Sequence, residues 1–145
     1  MAFPLLGMEV SLPDDYAVAQ AGSTRVTLFR GKNAIRVSLY RVEFGNLEKL
    51  TTHHEVQMFS HLRQRLGRQG TVALTPMVLS GRQARQVVMT GKRGGSAWGI
   101  QAAWVLRGGQ ASVVEVIYPL AQRPEAQELF ATLCRGLVWL SPERG

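Results

Sequence analysis

The sequence predicts an α+β domain: a six- to seven-stranded, mainly antiparallel sheet flanked by two main helices. Three observations carry this. Segments that alternate apolar and polar residues are separated by Gly-, Pro- and Asn-containing turns. Two stretches place apolar residues at three- and four-residue spacing. The order runs three strands, a helix, four strands, a helix, which suits helices packed on an antiparallel sheet.

The elements follow in order. Met8 to Leu12 alternates and then meets Pro13-Asp14-Asp15, a short strand ended by a turn. Thr24 to Arg30 is a second strand with Val26 and Leu28 on one face. Gly31-Lys32-Asn33 connects it tightly to Ala34 to Val42. That third strand has Ile35, Val37 and Leu39 inward and Arg36, Ser38 and Tyr40 outward. A helix follows, with two readings of its start. Asn46 is a good N-cap with Glu48 in the first turn. Thr52-His53-His54-Glu55 also fits a capping box. Asn46 is preferred. Leu47, Met58, Phe59, Leu62 and Leu66 form the apolar stripe, and Gly67 closes the helix.

Val72 to Leu79 is a strand that contains Pro76, which implies an edge or a bulge. Ala84 to Thr90 is the next strand, and Gly91-Lys92-Arg93-Gly94-Gly95 reads as a flexible basic turn. Ala97 to Arg107 and Gln110 to Tyr118 form the strongest hairpin, joined through Gly108-Gly109. The last helix has Pro124 in its first turn, with Glu125 after it. Its stripe is Ala126, Leu129, Phe130, Leu133, Cys134 and Leu137.

A chain of 145 residues fits one domain, here residues 1–145. A domain of this size buries roughly 70% of the surface of its unfolded chain, so it needs no metal or disulfide. Cys134 is the single cysteine, which excludes an intramolecular disulfide. No secretory signal is expected, because Met1 to Met8 is short, carries Pro4 and lacks a basic flank. No apolar run is long enough to cross a membrane as a helix. The expected compartment is the cytoplasm.

The net charge is +7, and fourteen of the seventeen basic residues are Arg. Arginine bonds phosphate and carboxylate in bidentate fashion, so an acidic partner is compatible with this bias. A genome rich in G and C would produce the same bias.

Three segments carry a resemblance. Met8-Glu9-Val10-Ser11-Leu12-Pro13-Asp14-Asp15-Tyr16 looks like the opening strand and Pro-containing turn of the PsbP-like superfamily. Leu79-Ser80-Gly81-Arg82-Gln83-Ala84 resembles its entry to a mid-chain strand. Leu129-Phe130-Ala131-Thr132-Leu133 is similar to its closing helix. The resemblance spans nearly the whole chain. It implies an α/β/α sandwich and a mostly non-enzymatic function. The superfamily includes the photosystem protein PsbP, a Mog-type Ran-binding factor and bacterial domains. One bacterial branch acts as effector-associated chaperones of type VI secretion, which shield apolar transmembrane segments of toxins. Those chaperones tend to be acidic, whereas this chain is basic. No residue matches a Ran-binding surface, so the resemblance implies no site residue.

Each cluster that could carry chemistry meets a plainer explanation. His53, His54, Glu55 and His61 suggest a metal site, yet His54 and His61 lie about 10 Å apart along a helix at 1.5 Å per residue. They read as polar-edge histidines with a capping Glu. Glu55 is either that cap or a carboxylate within the apolar stripe, which would need a partner. Glu115 in Val113-Val114-Glu115-Val116-Ile117 faces solvent or pairs with an Arg on a neighbouring strand. Cys134 lacks a local His or cation and reads as a small core residue. Gly91 to Gly95 could cradle an anion with Lys92 and Arg93, but no helix follows it as a phosphate-binding loop requires. Ser96 lacks the flanking pattern of a nucleophile elbow.

Two surfaces remain. Trp98, Ile100, Ala102, Trp104 and Leu106 share one face of the long strand; Ala97, Gly99, Gln101, Ala103 and Val105 share the other. The small-residue face would let a helix approach closely. The large face, with Trp98, Ile100 and Trp104, is either buried core or a groove for an apolar or amphipathic helix of a protein partner. The second surface is basic: Arg82, Arg85, Lys92 and Arg93 as anion-binding residues, with Arg63, Arg65 and Arg68 as another group. The reading is therefore a non-catalytic protein-interaction domain, adaptor or secretion-chaperone-like, without cofactor or metal. A homodimer is compatible with it. The alternative is a polyanion- or nucleic-acid-binding domain.

Overall fold

The structure, a computed structural model, describes residues 2–3, 8–11, 16–21, 25–29, 34–43, 68–107 and 110–139. In chain order its strands are β1 (Ala2–Phe3), β2 (Met8–Glu9), β3 (Ala17–Ala21), β4 (Arg25–Phe29) and β5 (Arg36–Glu43). They continue with β6 (Arg68–Leu79), β7 (Arg82–Arg93), β8 (Ser96–Arg107), β9 (Gln110–Pro119) and, after the helix, β10 (Val138–Trp139). A 3₁₀ turn, Leu120–Gln122, leads into helix α1, Arg123–Gly136.

The main sheet has seven strands in the order β3-β4-β5-β9-β8-β7-β6, and all its neighbours are antiparallel. A second sheet, β1-β2-β10, ties the two ends of the chain together. The expected first helix, with either Asn46 or Thr52 at its start, lies outside the described residues. So do His53, His54, Glu55 and His61. Among the described residues α1 is the one α-helix.

Local chemistry explains the hairpins. β6 and β7 are joined by Ser80-Gly81, and β7 and β8 by Gly94-Gly95. All four residues have positive φ, the signature of the two-residue type I′ turn whose twist matches the strands it joins. The expected long flexible turn from Gly91 is therefore only two residues long. Gly91, Lys92 and Arg93 continue β7 and pair with Trp98, Ala97 and Ser96. Pro76 lies in β6, an edge strand, where a missing ladder donor is tolerated.

The sheet is buried on both faces. On one face, Ala103 and Val105 of β8 and Val114, Val116 and Tyr118 of β9 pack with Ala126, Leu129, Phe130 and Leu133 of α1. The small side of β8 thus receives a helix, as its sequence implies. Gly99 matters most there. A Cβ at this position would lie 2.5 Å from Cζ of Tyr118, whose ring occupies the space.

On the other face, Tyr40, Val87, Met89, Ile100, Ala102, Trp104, Ala111, Val113 and Ile117 form a second core. Ser38 and Tyr40, expected outward, are buried with them, because alternation marks the two faces but not which of them is wet. The Trp face is likewise core. Ile100 and Trp104 are 0% and 1% exposed, which closes the groove that an open face would have provided.

We expect Gly99→Ala to cost about 1–3 kcal/mol by overpacking against Tyr118. Urea denaturation followed by tryptophan fluorescence would measure it.

Candidate functional site

Where the main sheet ends beside the Gly94-Gly95 turn, β5 begins, β9 finishes and β8 begins. Arg36 opens β5 opposite Ile117, and Trp98 lies near the start of β8 opposite Gly91 and Pro119. β9 separates them, and cross-strand register puts both on the face away from α1. With Ala34 and Gly94 they line an open groove of about 570 Å³. Nη1 of Arg36 donates to the carbonyl oxygen of Ile35 at 3.0 Å, which holds the guanidinium at the groove wall. Trp98 is half-buried and packs against the second core, so its indole is a fixed wall.

The neighbouring strand ends are basic. Arg68 opens β6 opposite Lys92, and Arg93 closes β7 opposite Ser96. Lys92 is exposed. No acidic residue lies among the described positions at the start of β5, β6 or β8 or at the end of β7.

The four expected anion-binding residues do not form one surface. β7 is an interior strand between β6 and β8. At about 3.3 Å per residue, Arg82 and Lys92 are about 33 Å apart. Arg82 and Arg85 are an odd number of residues apart and point to opposite faces. Only Lys92 and Arg93 lie at the groove end. Of the expected apolar set, only Trp98 reaches the groove, since Ile100 and Trp104 are core. Arg36, which the sequence marked only as outward-facing, is the residue that sequence reasoning missed. Its place in the groove depends on β5 pairing with β9, a contact between segments about eighty residues apart.

Glu115 is not a surface charge. It is fully buried, and it accepts a hydrogen bond of 2.6 Å from the Tyr40 hydroxyl. Arg25 stacks over the Tyr40 ring, 4.1 Å from its centroid. An arginine on the next strand thus acts on the tyrosine that binds the carboxylate. The bond depends on β5 pairing with β9, which alternation within either strand does not reveal.

Burial pushes the Cys134 thiol up to about 12 from 9.0. The Tyr118 phenol is also raised by burial, partly offset by the nearby Arg123 guanidinium. Among the described residues no three His, Cys, Asp or Glu side chains converge as metal ligands. No described helix is long and apolar enough to cross a membrane.

Comparison with solved structures places this architecture. The structure of PsbP (CyanoP) from Synechocystis sp. PCC 6803 matches with a TM-score of 0.70 over 96% of this chain and 90% of that one, at 11% identity. The fold is PsbP-like. LpqN of Mycobacterium tuberculosis, described as involved in cell envelope biogenesis, shares it at TM-score 0.62 and 11% identity, covering 92% of this chain and 83% of its own. PA94 of Pseudomonas aeruginosa, a protein of unknown function, matches at TM-score 0.55 and 11% identity over 95% and 99% of the two chains. No protein-family model matches the sequence, and a search of curated proteins returns no match. At these identities the PsbP-like relation is one of fold. It specifies neither an activity nor a partner.

Two outcomes follow from the buried polar groups. Tyr40→Phe removes the donor to Glu115, and we expect a loss of about 1–3 kcal/mol, read by chemical denaturation. A raised thiol pKa stabilises the fold below the unfolded value of 9.0, and that contribution is lost as pH rises toward about 12. At pH 8 the native thiolate fraction is about a thousandfold below that of a free cysteine. We expect iodoacetamide to label Cys134 far faster in urea than in the native state, as followed by mass spectrometry.

Proposed function

We propose that this PsbP-like chain is a non-catalytic protein-interaction domain of the adaptor kind, and that its partner docks in the groove of Arg36, Trp98, Ala34 and Gly94. One observation carries the reading. A guanidinium, a half-buried indole and a glycine turn meet at a concave site on the sheet, and none of the described residues that line it is a nucleophile or half of an acid–base pair. A secretion-chaperone role would call for an apolar cradle that holds a helix. The strand face that could have supplied one is closed at Ile100 and Trp104, so the groove is the better support for a protein partner. In this reading the domain works in the cytoplasm.

A second reading has its own support. Arg36, Arg68, Lys92 and Arg93 lie at the same end of the sheet, and such a basic end suits a polyanion.

A photocrosslinking residue placed at Ala34 separates the two. The same residue at Gln127, an exposed position on α1, is the control. We expect protease-sensitive, nuclease-resistant adducts in cells at Ala34 but not Gln127, and their loss in Trp98→Ala. Nuclease-sensitive adducts would replace the protein reading with the polyanion one. Equal labelling at both positions would remove the groove as the docking site.

A further inference from the structure

We infer that Pro76 keeps the free edge of β6 from pairing with the β6 edge of a second copy of this chain. The inference stands apart from the groove and does not depend on what docks there.

The backbone directions follow from the turn. β6 is joined to β7 by the type I′ turn at Ser80-Gly81, and Leu79 and Arg82 are the pair that closes it. Such a turn is closed by a hydrogen bond from the N–H of its fourth residue to the C=O of its first, so the backbone groups of Leu79 point into the sheet. Bonded and non-bonded pairs alternate along an antiparallel ladder. Met77, Thr75 and Ala73, opposite Ala84, Gln86 and Val88, therefore also turn their backbone groups toward β7. Val78, Pro76 and Leu74, opposite Gln83, Arg85 and Val87, turn theirs the other way, to the side where no further described strand lies.

That side is open. Thr75 and Pro76 point to opposite faces and are both exposed, and Val78 is 67% exposed. A row of outward N–H and C=O groups is a template for a strand of another chain. The regular run of β6 extends from Val72, where a bulge interrupts the ladder, to Leu79. A second copy, turned antiparallel about Pro76, would set Leu74 against Val78 and Pro76 against its own counterpart. Proline has no N–H to give, so two donors are missing at the centre of that pairing. The two rings also fill the space where the strands must approach.

The position of the proline fits this role. At Thr75 or Met77 it would remove a bond to β7, whereas at an outward position the sheet loses nothing. The opposite edge is protected in another way: β3 has five residues and a bulge between Val18 and Gln20. β6 has twelve residues, and an edge of that length needs an interruption of its own.

The test is Pro76→Thr in the whole chain. Threonine restores the N–H and is more polar than proline, so association gained through it does not come from added apolar surface. Sedimentation velocity over a range of concentrations reads the mass, and amide hydrogen exchange by NMR reads the edge. The parent is expected to keep one mass throughout, with the amides of Leu74 and Val78 exchanging about tenfold or more faster than those of Thr75 and Met77. Pro76→Thr is expected to move toward twice that mass as concentration rises, and its Leu74 and Val78 amides to slow as it does so.

A Pro76→Thr protein that folds, as circular dichroism shows, and keeps the parent's mass at every concentration would overturn the inference. Association without slowing at Leu74 and Val78 would overturn it too, because the copies would then meet elsewhere. If Pro76→Thr does not fold, the parent decides. Slow exchange at Leu74 and Val78 would mean that the edge is already covered and needs no guard, which sinks the idea; fast exchange at both supports it.

Discussion

Strand β9 has no wet side, and the rest of the molecule is arranged around that fact. Every residue from Ala111 to Tyr118 is buried, so successive side chains enter the two cores by turns. A strand with water on neither face must be central, with its backbone groups paired on both sides. It is, between β5 and β8. From there the sheet extends three strands one way and three the other, and exposure returns only at the margins. Val18 on β3 and Val78 on β6, the two edges, are 45% and 67% exposed. Glu115 is the exception within β9. A carboxylate without water needs hydrogen-bonding partners, and the Tyr40 hydroxyl on the adjacent strand is one of them. Arg25 on the next strand then braces Tyr40 through its ring. A chain of contacts across three strands thus makes one carboxyl group tolerable in the middle of the sheet.

Closure of both faces leaves the ends of the strands as the places where sheet side chains meet the outside. Side chains in the middle of the long strands are committed to packing, as Ile100 and Trp104 show. Those within two or three residues of a strand end can be anchored in the core and still meet the outside. Trp98 is in that position on β8, and Arg36 on β5. The type I′ turn at Gly94-Gly95 keeps the hairpin short and twisted, so the basic positions Lys92 and Arg93 belong to a strand rather than to a loose loop. A ligand at a site so held would cost little freedom on the protein's side.

Much of this was legible in the residues. The alternation from Ala97 to Arg107 and from Gln110 to Tyr118, the edge or bulge implied by Pro76 and the stripe of α1 all recur in the structure, with the two strands each one residue longer. The opening motif and the entry after Ser80-Gly81 pointed to the PsbP-like fold that the comparisons share. Other elements left no signal. β3 is Ala17-Val18-Ala19-Gln20-Ala21, poor in the β-branched and aromatic residues that mark strands. β1 and β10 are two residues each and exist because β2 pairs with both. Polar alternation in β5 suggested a solvent face for Ser38 and Tyr40, since a residue's polarity says nothing of what lies above it in a doubly covered sheet.

The sequence by itself determined part of the local geometry: where the long strands run, that glycine-containing turns punctuate them, which side of β8 a helix can approach, and the sign of the charge. Each of these depends on residues a few positions apart, whose sterics and periodicity act wherever the segment is placed. The tertiary structure alone decided which of two faces is dry, that Glu115 meets Tyr40, that Arg82 and Lys92 stand at opposite ends of one strand, and that Arg36 and Trp98 share a groove. Those outcomes follow from strand order and register. They are set by the collective burial of both cores, which no single segment encodes.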